Sequence, residues 1–137
     1  MPLVVPDAGE LELLDKMLKD ALSVDESYIL RLYKNNATPS QSTVIGDFTE
    51  ADFVGYSPVT MSRAGWASSS TVSNKAQSTY AQQSWTCGST GNTVYGYYVV
   101  GASSGVCLWA EKFGSARVMS SLDVLQLTPV FTLNSEN

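Results

Sequence analysis

Two different spacings of hydrophobic residues divide the chain. Near the start, large apolar residues recur every three or four positions, at Leu11, Leu14, Met17, Leu18 and Leu22. This spacing places them on one face of an α-helix, which we predict over residues 8–22. Asp7 fits the N-cap position, and Glu10 three residues later completes a capping box. Residues 1–6, with prolines at positions 2 and 6, are predicted to form an extended arm.

From residue 28 the spacing changes to two, which is typical of strands with one buried face. Short alternating segments continue to residue 133, separated by connections rich in Gly, Asn and Ser. Predicted strands cover residues 28–33, 57–61, 71–80, 83–87, 93–100, 106–113, 116–119 and 123–133. Asp47 and Glu50 repeat the capping-box spacing and predict a short helical turn near 48–53. The pattern favours one mainly β domain over residues 7–137, in which residues 28–133 form an antiparallel β-sandwich or jelly-roll-like fold.

Charge is distributed unevenly along the chain. Residues 1–52 carry ten of the thirteen carboxylates, whereas residues 64–110 carry a single charged side chain, Lys75. The sequence has no cluster of Lys and Arg to neutralise phosphates, so we expect no nucleic-acid partner. It also has no export signal and no apolar run near the ~20 residues of a membrane helix, so we expect synthesis in the cytoplasm and no membrane partner.

Candidate catalytic residues are few. Residues 101–105, GASSG, match the nucleophile-elbow pattern G-x-S-x-G, but the chain contains no histidine to act as base and a strand follows, so we predict a hairpin loop. We assign Glu50 to a helix cap, with Asp52 beside it, and Glu111 to a charge pair with Lys112 or Arg117. We therefore expect no catalytic site, no enzyme activity and no cofactor.

The two cysteines, Cys87 and Cys107, lie in or beside predicted strands. They are expected to be small buried hydrophobes, and a disulfide between them is the alternative. Two cysteines without histidine fall short of the four ligands of a structural zinc site, so we expect no metal site.

Two sets of apolar residues are candidates for an interface. The helix face with Leu11, Leu14 and Leu18 packs either on the chain's own sheet or on a neighbouring subunit towards which the arm extends. Tyr95 and Tyr97 are predicted to share one face of a strand, with Tyr98 on the other. If the first two point outward, they contact a neighbouring subunit. A sugar-stacking platform is the alternative role for the aromatic residues Trp66, Trp85, Tyr95, Tyr97, Tyr98 and Trp109.

Several segments resemble, in order, a family of small structural proteins of tailed bacteriophages. The first two are residues 28–39, YILRLYKNNATP, and residues 47–56, DFTEADFVGY. Residues 94–98, VYGYY, residues 108–113, LWAEKF, and a closing hydrophobic strand continue the resemblance over residues 28–133, whereas the N-terminal helix has no counterpart.

The resemblance implies a virion component with a β-sandwich fold, and first of all a capsid cement (decoration) protein on the capsid exterior. Its expected partner is the major capsid protein, which it would stabilise by bridging capsomers. We expect a homo-oligomer, a trimer before a dimer, because closed symmetric oligomers match the rotation axes of a shell. The alternative is a tail-associated module that binds a receptor or glycan.

Overall fold

The computed structural model describes residues 3–18 and 26–133. Over these residues the chain is mainly β, with one α-helix, α1 (Asp7–Leu18), and two short 3-10 turns, Ile45–Asp47 and Arg63–Gly65. The described strands are β1 (Tyr28–Tyr33), β2 (Val59–Met61), β3 (Ser70–Val72), β4 (Lys75–Thr79), β5 (Gln83–Thr86), β6 (Thr93–Gly101), β7 (Cys107–Val118), β8 (Val124–Leu127) and β9 (Val130–Leu133). No helix in this described part has the length and apolar character needed to cross a membrane.

The strands form antiparallel sheets in a sandwich-like arrangement. The largest sheet has the order β2-β1-β6-β7, and two smaller sheets have the orders β3-β4-β9 and β5-β8. One buried cluster joins Leu32 and Val99 of the largest sheet to Trp85 of β5 and Leu125 of β8. The layer opposite the largest sheet is thus divided into two small sheets, whereas a jelly roll has eight strands in two sheets.

The largest sheet is also covered on its other face. Tyr33, Phe48 and Tyr98 form a second buried cluster there, in which the rings of Phe48 and Tyr98 stack with their centroids 4.6 Å apart. The segment after β1 carries Phe48 over the sheet. Because both faces are covered, every residue of β6 from 96 to 101 is buried.

The predicted strands 28–33 and 93–100 are confirmed as β1 and β6. The predicted strand 123–133 divides at Pro129 into β8 and β9, which belong to different sheets. Proline has no N–H for a ladder, and the Pro129 carbonyl instead accepts a hydrogen bond from the Tyr80 N–H at 2.9 Å. The predicted segment 71–80 is a hairpin of β3 and β4, and the two segments between 106 and 119 form the single strand β7.

The helical turn expected near 48–53 is wrong in position. The turn lies at Ile45–Asp47, where the Asp47 carboxylate accepts a hydrogen bond from the Val44 N–H at 2.9 Å. Residues 48–53 run extended instead: Glu50 forms a β-bridge with Tyr33, and the Ala51 N–H donates to the Leu32 carbonyl at 2.9 Å. Pairing with the edge of β1 satisfies this backbone, so a second helical turn is not needed.

The start of α1 also differs from the predicted cap. Asp7 is the first helical residue rather than the N-cap, because the Glu10 N–H donates to the Pro6 carbonyl at 2.9 Å. The predicted last turn, residues 19–22, lies outside the described residues. Residues 3–6 are extended as expected, but they do not reach away from the chain. Val4 and Ala110 exchange two backbone hydrogen bonds of 2.8 and 2.9 Å, which adds the arm to the edge of β7.

Candidate docking surface

Helix α1 contacts the sheet through its smallest residue. A Cβ atom at Gly9 would lie 2.5 Å from the Leu108 carbonyl oxygen and 2.7 Å from that of Cys107, so the helix backbone rests directly on β7. One turn later, Leu13 packs against the main core cluster. These positions, four apart, define the inward face of the helix.

A buried ion pair fixes the same face of α1 to the β6–β7 connection. The Glu26 side chain is fully buried and accepts a hydrogen bond from the Lys16 ammonium group. It also accepts bonds from the N–H groups of Ser103 and Ser104, at 2.6 and 2.7 Å, and from the Ser104 hydroxyl at 2.9 Å. Burial on its own would raise the pKa of Glu26, but the bonds from Lys16, Ser104 and Ser103 together hold that pKa below its ordinary value.

The i,i+4 spacing of Glu12 and Lys16, acid first, is typical of a solvated helix face, but Lys16 does not lie on one. The two side chains are 3.3 Å apart, but the Lys16 side chain is only 7% exposed. Gly9, Leu13 and Lys16 form the inward stripe, and the predicted leucine face points outward. Its residues keep large exposed fractions: Leu11 67%, Leu14 47%, Met17 72% and Leu18 75%. Of the two alternatives for this face, packing on the chain's own sheet is thus wrong, and a neighbouring subunit stays a prediction.

An apolar groove runs beside this exposed face, between α1 and β9. Its volume is about 420 Å³, and Leu13, Leu14 and Met17 line one side while Phe131 and Leu133 line the other. The Glu10 side chain is the one charged residue of the lining. The groove is therefore apolar with an acidic rim, and it is open to solvent in the described part of the chain.

Tyr95 and Tyr97 do not share a face. Tyr97 is 3% exposed and belongs to the main core, while Tyr95 is half-buried against the second cluster with Tyr33 and Phe48. The pairing of β6 with β7 shifts register between Val94 and Gly96, which breaks the alternation on which the prediction depended. Tyr97 thus faces inward, where its hydroxyl donates to the Glu111 carboxylate at 3.1 Å and burial raises its pKa.

The aromatic residues do not form a flat platform for a sugar. Trp85 and Tyr98 are buried in the two clusters. Trp66 and Trp109 do meet, with ring planes at 69°, and line a cavity of about 270 Å³ together with Tyr28 and Phe131. Both of their indole N–H groups are buried and have no acceptor among the described residues.

The candidate acids have structural partners. Glu50 accepts a hydrogen bond from the Tyr56 hydroxyl at 2.8 Å, and Asp52 accepts one from Lys34 at 2.7 Å, which together with a bond involving Asn92 lowers the pKa of Asp52. Glu111 is paired with the Tyr97 hydroxyl rather than with a cation. Lys112 instead donates to the side chains of Asn36 and Thr38, at 2.6 and 3.1 Å.

The segment 101–105 is the predicted hairpin connection between β6 and β7. Its two serines hold the Glu26 carboxylate, a role that sequence reasoning missed. Glu26 lies 77 residues before Ser103, and its only sequence signal is an acidic residue two positions before a predicted strand.

The cysteines do not pair. Both are free and buried, and they belong to different clusters, Cys87 to the main core and Cys107 to the second. Burial, with a smaller contribution from Asp47, raises the pKa of Cys107 to about 12. The described residues contain no group of three His, Cys, Asp or Glu side chains placed to hold a metal ion.

No family model matches the chain, and no curated protein shows significant similarity to it.

Proposed function

We propose that the chain is a structural protein of a bacteriophage virion, specifically a capsid cement protein that binds the outside of the head and bridges capsomers. The observation that carries the proposal is the outward leucine face of α1. The helix is fixed to the sheet by Gly9, Leu13 and the Lys16–Glu26 pair, yet it presents four large apolar side chains to solvent. A contiguous apolar surface of this kind is typical of a site covered by another protein.

Further features support a shell protein. The sandwich has antiparallel sheets with a core on both faces of its largest sheet, which suits a rigid bridging element. The candidate acids and the GASSG loop are engaged in structural hydrogen bonds. The resemblance of residues 28–133 to phage structural proteins supports a location in the virion. The symmetry of a capsid shell is the reason to propose a homo-oligomer.

The second candidate is a tail-associated module that binds a receptor or glycan. The cavity between Trp66 and Trp109 favours it, because aromatic walls with unpaired donors suit a small polar ligand. Its rings are edge to face, and Trp109 is 3% exposed, so little ring surface is available for stacking on a sugar.

The location of the chain in the virion separates the two candidates. We expect antibodies against the purified protein to label heads in immunogold electron micrographs of the phage that encodes it. Separated heads should contain the protein in many copies, and separated tails should not. Labelling confined to tails, together with binding on a glycan array, would instead establish the second candidate.

A further inference from the structure

A tight turn between β7 and β8 presents a second exposed apolar surface. Leu122, at the tip, is 78% exposed and has a backbone φ of 70°, a left-handed conformation that is costly for a leucine. Val118 and Val124 flank it, with exposed fractions of 70% and 54%. A bulky apolar residue in a strained conformation at the surface is an unusual choice where Gly or Asn would fit better.

The turn is held firmly despite the strain. The Leu122 N–H donates to the Cys87 carbonyl at 2.8 Å, and the Ser121 hydroxyl donates to the Gly88 carbonyl at 2.8 Å. The Asp123 carboxylate accepts from the Ser120 N–H at 2.8 Å. The backbone that carries Leu122 is therefore held in one conformation, which lowers the entropy cost of docking this turn.

The turn and the α1–β9 groove lie at opposite ends of the molecule. Gly9 of α1 rests on Leu108, and Val118 lies ten residues further along β7, about 30 Å away at the rise of a strand. One chain therefore cannot place its own Leu122 in its own groove. Two copies can bring the turn of one to the groove of the other.

We propose that Leu122 of one copy inserts into the apolar groove between α1 and β9 of the next copy, and that this head-to-tail contact builds the homo-oligomer. The inference deepens the proposed function, since it assigns the self-association of that protein to two named surfaces. The groove, at about 420 Å³, has room for a leucine side chain with the flanking valines beside it. Leu122 is the knob of this contact, and the groove between α1 and β9 is its pocket. Because the two lie at different places on one chain, the contact is heterologous, and it gives a closed ring when the rotation from one copy to the next is an integer fraction of a full turn.

Charge and exposed apolar area both fit a second copy as occupant. Glu10 lines the groove, while the surface cavity beside Val118 and Val124 is lined by one basic residue, Arg117, and one acidic residue, Asp123. The Asp123 carboxylate accepts the Ser120 N–H within the turn, and the exposed Arg117 is the partner that the contact offers to Glu10. The exposed leucines of α1 and the three residues of the turn supply the apolar centre that a stable interface needs.

The test uses two variants that disable one surface each. Leu122→Asn removes the exposed leucine side chain but suits a left-handed backbone, so each monomer should keep its fold and its far-UV circular dichroism spectrum. Met17→Glu disables the groove at a residue that is 72% exposed and so leaves the fold intact. Val44→Asn is the control, a matched change at a residue that is 53% exposed and lies just before the 3-10 turn.

Sedimentation velocity of the purified proteins gives the result. We expect the wild type and Val44→Asn to form a discrete oligomer, with a trimer as the expected size. Each of the other two variants should be monomeric, with self-association weakened roughly thirtyfold or more. An equimolar mixture of Leu122→Asn and Met17→Glu should form a 1:1 heterodimer, because one intact knob then meets one intact groove.

A monomeric wild type, a Leu122→Asn variant that still assembles, or a mixture without heterodimer would overturn the inference. These measurements need no capsid. If the contact between copies is disproved, the proposed location on the phage head still stands. If the protein is found on the tail, the proposed contact between copies still stands.

Discussion

At the scale of single residues, Glu26 connects three parts of the chain through one carboxylate. It joins Lys16 of α1 and the serines of the β6–β7 connection to the start of β1. If the Glu26 carboxylate is neutralised, the buried Lys16 ammonium group and the N–H groups of Ser103 and Ser104 are left with a weaker acceptor. Removal of one partner of a buried pair is costly for this reason.

Glu26→Gln should therefore destabilise the protein by about 3 kcal/mol at pH 7, the low end of the ~3–5 kcal/mol range because Glu12 still faces Lys16. The pKa of Glu26 is lowered in the folded state, so its contribution is complete above the ordinary value of 4.5 and is lost as pH falls through the lower folded value. Urea unfolding from pH 7 to pH 3 checks both effects. The wild type should lose stability below about pH 4.5, and the variant should lose less.

Equal stability of Glu26→Gln and wild type at pH 7 would show that the pair does not hold α1. The double variant Lys16→Met, Glu26→Gln is the control. It removes the uncompensated charge and should recover part of the loss.

Residue-level predictions from sequence failed where they depended on uninterrupted periodicity. The inward and outward faces of β6 are assigned by counting, and the register shift near Gly96 makes that count wrong for Tyr95 and Tyr97. The i,i+4 spacing from Glu12 predicts a solvated Lys16, whereas its buried partner Glu26 lies ten residues later, beyond the helix. Neither a register shift nor a distant acid leaves a mark that pattern reading can detect.

At the scale of elements, α1 shows why hydrophobic spacing predicts a helix better than it predicts which face is buried. The leucine stripe correctly indicates the helix, but the buried stripe consists of Gly9, Leu13 and Lys16. A helix backbone can approach a strand closely only at a residue without a side chain. A hydropathy pattern does not mark glycine as such a contact residue, so it does not predict that Gly9 faces the sheet. Alternating strands such as β1 were predictable because their burial follows the pleat.

Gly9→Ala tests this contact. Alanine favours the isolated helix by about 1 kcal/mol, but its Cβ would meet two carbonyl oxygens of β7, and overpacking costs ~1–3 kcal/mol. Both contacts are with backbone atoms closer than 3.0 Å, so the upper part of that range applies. We expect a net loss of about 1 to 2 kcal/mol in urea unfolding, with faster amide hydrogen exchange in α1.

Gly46→Ala is the matched control, since a Cβ at that position meets nothing within 4 Å. It should be neutral or stabilise the protein by up to about 1 kcal/mol. A Gly9→Ala variant as stable as this control would mean that α1 does not rest on β7 as described.

At the scale of the whole molecule, a sandwich-like fold covers both faces of its main sheet and leaves two apolar surfaces exposed, the leucine face of α1 and the turn at Leu122. The low charge of residues 64–110 is visible at β3, whose three residues are all exposed yet are Ser, Thr and Val rather than charged side chains. The fold class followed from the sequence because alternation and turns are local signals. The surfaces at the ends did not, since they depend on which apolar residues the fold leaves uncovered.

The central claim is that this molecule binds the outside of a capsid. The most direct measurement is cosedimentation of the purified protein with capsids of the encoding phage assembled without it. We expect saturable binding in a fixed ratio to the major capsid protein, and decorated capsids that withstand a higher temperature before they release DNA. Protein that stays in the supernatant at every concentration, with unchanged capsid stability, would contradict the account.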